Sequence, residues 1–187
     1  MNLIQMKSNK SLIRTASALL ALTIVTSGSA AVKFAECPSI EPTTNTVNFV
    51  GCGVITPTYL DRNSFVGALF QFTDLTAAAG TSYLHNKFFT KANMSYTNMS
   101  NLSLRESSFG GTNFTGANLQ GSNLSGSAFQ GADFTNANLT NAKIDGNTDF
   151  RGANLYGANF TGVTGLKANR LVNVVNQAYA IGLVIAP

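Results

Sequence analysis

The sequence predicts an all-β solenoid, a chain wound into short successive coils around one apolar core. Three columns at a period of five predict it. A large apolar residue returns at Phe109, Phe114, Leu119, Leu124, Phe129, Phe134, Leu139 and Ile144, and after one extra residue near Asn147 at Phe150, Leu155 and Phe160. A small residue sits two places before the apolar one, as Thr112, Ala117, Ser122, Ser127, Ala132, Ala137, Ala142, Thr148, Ala153 and Ala158. Asn or Asp commonly stands immediately before it, as at Asn113, Asn118, Asn123, Asp133, Asn138, Asp149, Asn154 and Asn159.

Residues 1–31 come first. Lys7, Lys10 and Arg14 precede an apolar run from Thr15 to Thr26, followed by the small residues Ser27 to Ala31. That order predicts an export signal cleaved after Ala30 or Ala31. An uncleaved anchor is the competing reading, but a span needs about 20 apolar residues and this run is shorter. Glu36, directly before Cys37, argues against a lipidation site. Without the signal the chain keeps nine basic and eight acidic residues out of twelve and eight, because the segment holds three bases and no acid. A near-neutral mature protein has no electrostatic footprint for nucleic acid or an anionic membrane. The expected compartment is periplasmic or extracellular, with no integral membrane span in the mature chain.

Residues 32–61 carry Pro38, Pro42 and Pro57 and both cysteines, and predict an irregular or short-stranded N-terminal cap. In an oxidising compartment Cys37 and Cys52 are expected to form a structural disulfide. Closing so short a loop contributes about 3 kcal/mol on the chain-entropy estimate.

Residues 62–162 form the repeat. The apolar column reaches back through Leu84, Phe89, Met94, Met99 and Leu104, and more loosely to Phe65, Phe70 and Leu75. A period of five fits neither the 3.6 of a helix nor the 2.0 of a strand, so the backbone must turn after every unit. Gly or Asn two places after the apolar residue supports a turn with positive φ, as at Gly116, Gly121, Asn136 and Asn141. The pattern breaks at Ala77–Tyr83, at Leu102, where a small residue is due, and at Asn147. The first break is expected as a loop or poorly formed coil and the last as a one-residue bulge.

The C-terminal segment 163–187 leaves the five-residue period. Leu171, Val174, Val175, Ala178 and Ile181 are spaced as on an apolar helix. A helical cap over the last coil is expected there. Dimerisation through 166–187 and membrane contact are the alternatives.

These columns resemble the pentapeptide repeat family, whose motif is roughly Ala, then Asp or Asn, then Leu or Phe, then two variable residues. The resemblance covers residues 84–162 well. It implies a right-handed quadrilateral β-helix with four units per coil. The nineteen units counted in this chain would then make nearly five coils, a rod about 23 Å long at ~4.8 Å per coil. Well-understood family members resemble duplex DNA in shape and negative charge and bind DNA gyrase. Residues 107–142 contain a single charged side chain, Asp133, and this argues against such mimicry.

No catalytic constellation, metal-ligand cluster or cofactor motif emerges. His85 is the only histidine and is expected in a solvated position, and Arg105 with Glu106 reads as a surface pair. The expectation is therefore a non-enzymatic exported protein-interaction module, its partner a protein. A structural, envelope-associated spacer or homodimer without a dedicated ligand is the alternative. The outward Thr115, Gln120, Gln130, Thr135, Thr140 and Thr161 would form flat hydrogen-bonding faces.

Overall fold

The computed structural model describes residues 39–40, 47–52, 64–76 and 84–186. The expected signal segment 1–31, Cys37 and the break in the repeat at 77–83 lie outside the described residues.

Strands β1 (Ser39–Ile40) and β2 (Val47–Asn48) pair antiparallel, Ser39 opposite Asn48 and Ile40 opposite Val47. Both strands fall within residues 32–61. The repeat geometry begins immediately after them, earlier than residue 62. Phe49 is buried and its N–H donates to Leu69 O at 2.6 Å, Gly51 N–H donates to Gln71 O, and Cys52 N–H donates back to Phe49 O at 3.0 Å. Phe70, Phe72 and Thr73 make the same three bonds one coil on. Asn48 to Cys52 is thus a complete unit, with Cys52 in the small inward slot.

From Ser64 onward the chain winds in four-sided coils. On one face Ser64 pairs parallel with Phe88, Phe88 with Ser108, Ser108 with Ala128 and Ala128 with Asp149. The two middle steps are twenty residues, four units of five. The first is twenty-four, and Leu69 with Asn93 and Asp74 with Asn98 keep the same step on the next two faces. The last is twenty-one, and the extra residue lies between Lys143 and Asp149, at the expected bulge.

Each corner has one cause. The second residue after the apolar one is left-handed, as at Gly116 (φ 63°) and Asn136 (φ 57°), where Gly and Asn meet little steric cost. The next N–H then donates to the apolar residue's own carbonyl, as Ala117 does to Phe114 at 2.9 Å. This turn points the apolar and the small residue inward and the other three out.

The apolar column stacks into four inner ladders. Phe65, Phe89, Phe109, Phe129 and Phe150 lie ring on ring at 5.1, 4.9, 5.0 and 5.1 Å, the rise of one coil. The adjacent ladder of Phe70, Met94, Phe114, Phe134 and Leu155 meets it edge-on, with Phe129 and Phe134 at 67° and 5.3 Å. Leu75, Met99, Leu119, Leu139 and Phe160 line the third face. Leu84, Leu104 and Leu124 line the fourth. Ile144, expected fully in this column, is only half-buried, because the bulge that follows it draws the corner outward.

The small column is buried throughout, Ala117, Ala132, Ala137, Ala142, Ala153 and Ala158 included. Its hydroxyls are satisfied inside the core. Thr112 donates to Phe89 O at 2.7 Å, Ser122 to Met99 O at 2.5 Å, Ser127 to Leu104 O at 2.6 Å and Thr148 to Leu124 O at 3.2 Å. A buried hydroxyl is tolerated only with such a partner. Leu102 occupies the same slot fully buried, and its turn bond to Met99 O is stretched to 3.4 Å.

The expected C-terminal helical cap is not formed. Residues 163–186 contain only two short 3-10 turns, Ala168–Arg170 and Gln177–Tyr179. The backbone bonds run between coils: Phe150 N–H donates to Arg170 O, Leu155 N–H to Val175 O and Phe160 N–H to Ile181 O. Arg170 to Val174 is itself a repeat unit, with Leu171 buried after Phe150 and Asn173 left-handed at φ 60°. The apparent helical spacing of Leu171 and Val174 is the inward apolar and small pair of that unit. The tail therefore adds a coil, making six from Ser64 onward among the described residues, which begin at Ser64, Phe88, Ser108, Ala128, Asp149 and Arg170.

Candidate interaction surface

The outward Asn/Asp column does two things at once. Each side-chain oxygen accepts the N–H two residues on, as Asn113 does from Thr115 at 2.9 Å, Asp133 from Thr135 at 2.9 Å and Asn138 from Thr140 at 3.1 Å. These side-chain turns fix the following corner. The free amide N–H then reaches the neighbouring coil: Asn118 Nδ2 donates to Asn98 Oδ1 and Asn138 Nδ2 to Asn118 Oδ1, both at 3.2 Å. On the adjacent face Asn154 donates to Asp133 and Asn176 to Asn154. The side walls are flat amide ladders in register with the coils, flanked by Gln120, Thr140 and Thr161.

Charge is concentrated at the bulge instead. Asp149 is buried, and Arg151 grips it through Nε and Nη2 at 2.6–3.0 Å. Gln130 of the preceding coil donates to it at 2.8 Å, and Arg170 of the last coil stands 3.8 Å away. Burial pushes this carboxyl up, but the hydrogen bonds and charge of Arg151 and the bond from Gln130 outweigh it and hold it below the ordinary 3.8. Asp145 behaves alike. Burial raises it, while N–H groups of Gly126, Asn147 and Thr148 and the Thr148 hydroxyl bring it below 3.8. Arg170 Nε also donates to Gly146 O at 3.0 Å. Three coils are stapled together here. The signal was Asp149-x-Arg151 with Arg170 one coil later, a spacing visible only once the coil length is known.

His85 is half-buried rather than solvated, its Nε2 bonded to Ser103 Oγ of the next coil. Arg105 and Glu106 form an exposed pair at 3.6 Å, as expected. Cys52 is buried; Cys37, its expected partner, lies outside the described residues. Among the described residues no three His, Cys, Asp or Glu side chains converge as metal ligands, and no helix is long and apolar enough to cross a membrane.

Two family models match this region. One, described as pentapeptide repeats (9 copies), covers residues 109–154, and the other, pentapeptide repeats (8 copies), covers residues 146–164. The chain belongs to the pentapeptide repeat family. Known structures of the family are right-handed quadrilateral β-helices, and the four-sided, twenty-residue coil is the repeat of that architecture.

Solved pentapeptide repeat proteins are similar to it. One from the Arabidopsis thaliana thylakoid lumen is 34% identical, over 46% of this chain and 69% of that one, with a TM-score of 0.19. The cyanobacterial protein Rfr23 of Cyanothece 51142 is 22% identical, over 72% and 90%, with a TM-score of 0.23. HetL of Nostoc sp. strain PCC 7120, described as involved in heterocyst differentiation regulation, is 26% identical, over 68% and 50%, with a TM-score of 0.20. No curated protein matches the chain.

Proposed function

We propose that this pentapeptide repeat protein is a non-enzymatic, exported interaction rod that binds a protein partner along its neutral side walls. The amide ladder of Asn98, Asn118 and Asn138 carries the reading. It presents hydrogen-bonding groups at the coil rise on a rigid wall, and such a pre-organised surface loses little entropy on binding. Residues 32–187 carry nine bases and eight acids, so recognition rests on shape and hydrogen bonds rather than on steering. Export is supported by the Lys7, Lys10 and Arg14 region, the apolar run and the small residues at Ala30 and Ala31. A Cys37–Cys52 bridge would then tie the cap to the first inward slot; no cysteine among the described residues is free.

Affinity capture from periplasm and culture medium tests the binding, with Asn118→Lys/Asn138→Lys as the control. The expected result is one partner enriched by the native rod and lost with the lysine pair. A spacer enriches nothing reproducibly. That second reading, with pairing through 166–187, is favoured by the exposure of Val172, Val175, Ile181 and Val184 on the last coil.

A further inference from the structure

Phe72 and Tyr96 occupy places the repeat does not explain. Each sits in the left-handed turn slot (φ 58° for both) that the same face fills with Gly116, Asn136 and Gly157 in later coils. A bulky residue in that conformation is strained. Both rings are also 57% and 55% exposed, stacked on each other at 5.2 Å and 1°. Strain and exposed apolar surface at one place point to a contact. A second exposed pair, Tyr156 and Tyr179 at 5.2 Å, follows the same inner ladder near the other end. Between the two pairs the corner is low and polar: Thr115 with Gly116, then Thr135 with Asn136.

The spacing is symmetric. Phe72 lies in the first coil, Tyr96 in the second, Tyr156 in the fifth and Tyr179 in the sixth. A two-fold axis across the rod, between the third and fourth coils, exchanges first with sixth, second with fifth and third with fourth. It sets Phe72 against the second copy's Tyr179, Tyr96 against its Tyr156 and Thr115 against its Thr135. The one charged side chain in these outer rows, Asp133, then meets the amide of Asn113 and no like charge. A surface that maps onto itself under a two-fold is what an isologous dimer requires.

We propose that the protein forms an antiparallel side-by-side dimer through this face, closed by four-ring aromatic clusters at its two ends. This goes beyond the proposed binding function and stands independently of it. It also differs from pairing through 166–187, of which it uses Tyr179 and not the exposed Val184 and Ile185.

Sedimentation equilibrium on the full chain as purified tests it. The native protein is expected at twice its chain mass. Phe72→Gly/Tyr96→Gly is expected to be monomeric with an unchanged or higher Tm, because glycine suits the left-handed backbone. Tyr156→Ser should also be monomeric, while Val184→Ser/Ile185→Ser stays dimeric. A native monomer at the highest soluble concentration overturns the proposal. So does a dimer that survives Phe72→Gly/Tyr96→Gly, or one lost only when Val184 and Ile185 change.

Discussion

The ring of Tyr96 lies over Gly116, so close that a Cβ on the glycine would stand 2.6 Å from Tyr96 Cε1. The turn glycine therefore answers to two constraints, its left-handed φ of 63° and the side chain of the neighbouring coil. Gly131 has nearly the same φ, 65°, yet nothing lies within 4 Å of its Cβ position. Gly131→Ala should cost about 1 kcal/mol, the backbone penalty alone. Gly116→Ala should cost roughly 1–2 kcal/mol more as the ring is displaced. Urea unfolding of the two variants measures the difference, and equal losses would show that the ring contact is irrelevant.

The Phe129 ring is stacked between Phe109 and Phe150 and meets Phe114 and Phe134 edge-on. Phe129→Ala should cost about 3–5 kcal/mol, the range for a buried phenylalanine whose cavity cannot collapse. Neighbour-coupled repeats lose an interface on both sides of a defect, so hydrogen exchange should rise on the flanking coils before the ends of the rod.

Ser127 donates to Leu104 O and accepts from Ser107 N–H at 3.3 Å, both inside the core. Ser127→Ala removes both partners and should cost about 1–3 kcal/mol. Ser125→Ala, on the exterior of the same unit, should change stability by less than about 0.5 kcal/mol. Parallel thermal melts decide whether the inward hydroxyl is structural.

Asp145 and Asp149 titrate lower in the folded than in the unfolded chain. Their stabilisation is fully present above the ordinary carboxylate value of 3.8 and is lost as pH falls through the folded values. Asp149→Asn should therefore lower Tm at neutral pH and leave it nearly unchanged well below pH 3.8. A Tm gap that persisted at low pH would assign the loss to packing instead of charge.

Much of this was legible in the sequence because each inward slot tolerates few residue types. The aromatic ladder from Phe109 to Phe150 and the Ala117 and Ala137 slots followed from the period alone. The bulge near Asn147 followed from one broken step. The C-terminal coil was hidden because Leu171 and Val174, three apart, fit a helix as well as the inward pair of a repeat. The unit at Phe49 was hidden because it lies between Pro42 and Pro57, in a segment whose sequence shows no regular small and Asn/Asp columns. Contacts between coils, such as Asp149 with Arg170 or Tyr96 with Gly116, needed the coil length before two distant residues could be read as neighbours.

Where the rod works decides which partners it can meet. Fractionation of the native host combined with intact-mass spectrometry addresses this directly. The predicted result is a protein outside the cytoplasm beginning at Ala31 or Val32 and two hydrogens lighter than its reduced mass, from the Cys37–Cys52 bridge. An uncleaved, reduced chain in the cytoplasm would contradict it and return the search for partners to the cell interior.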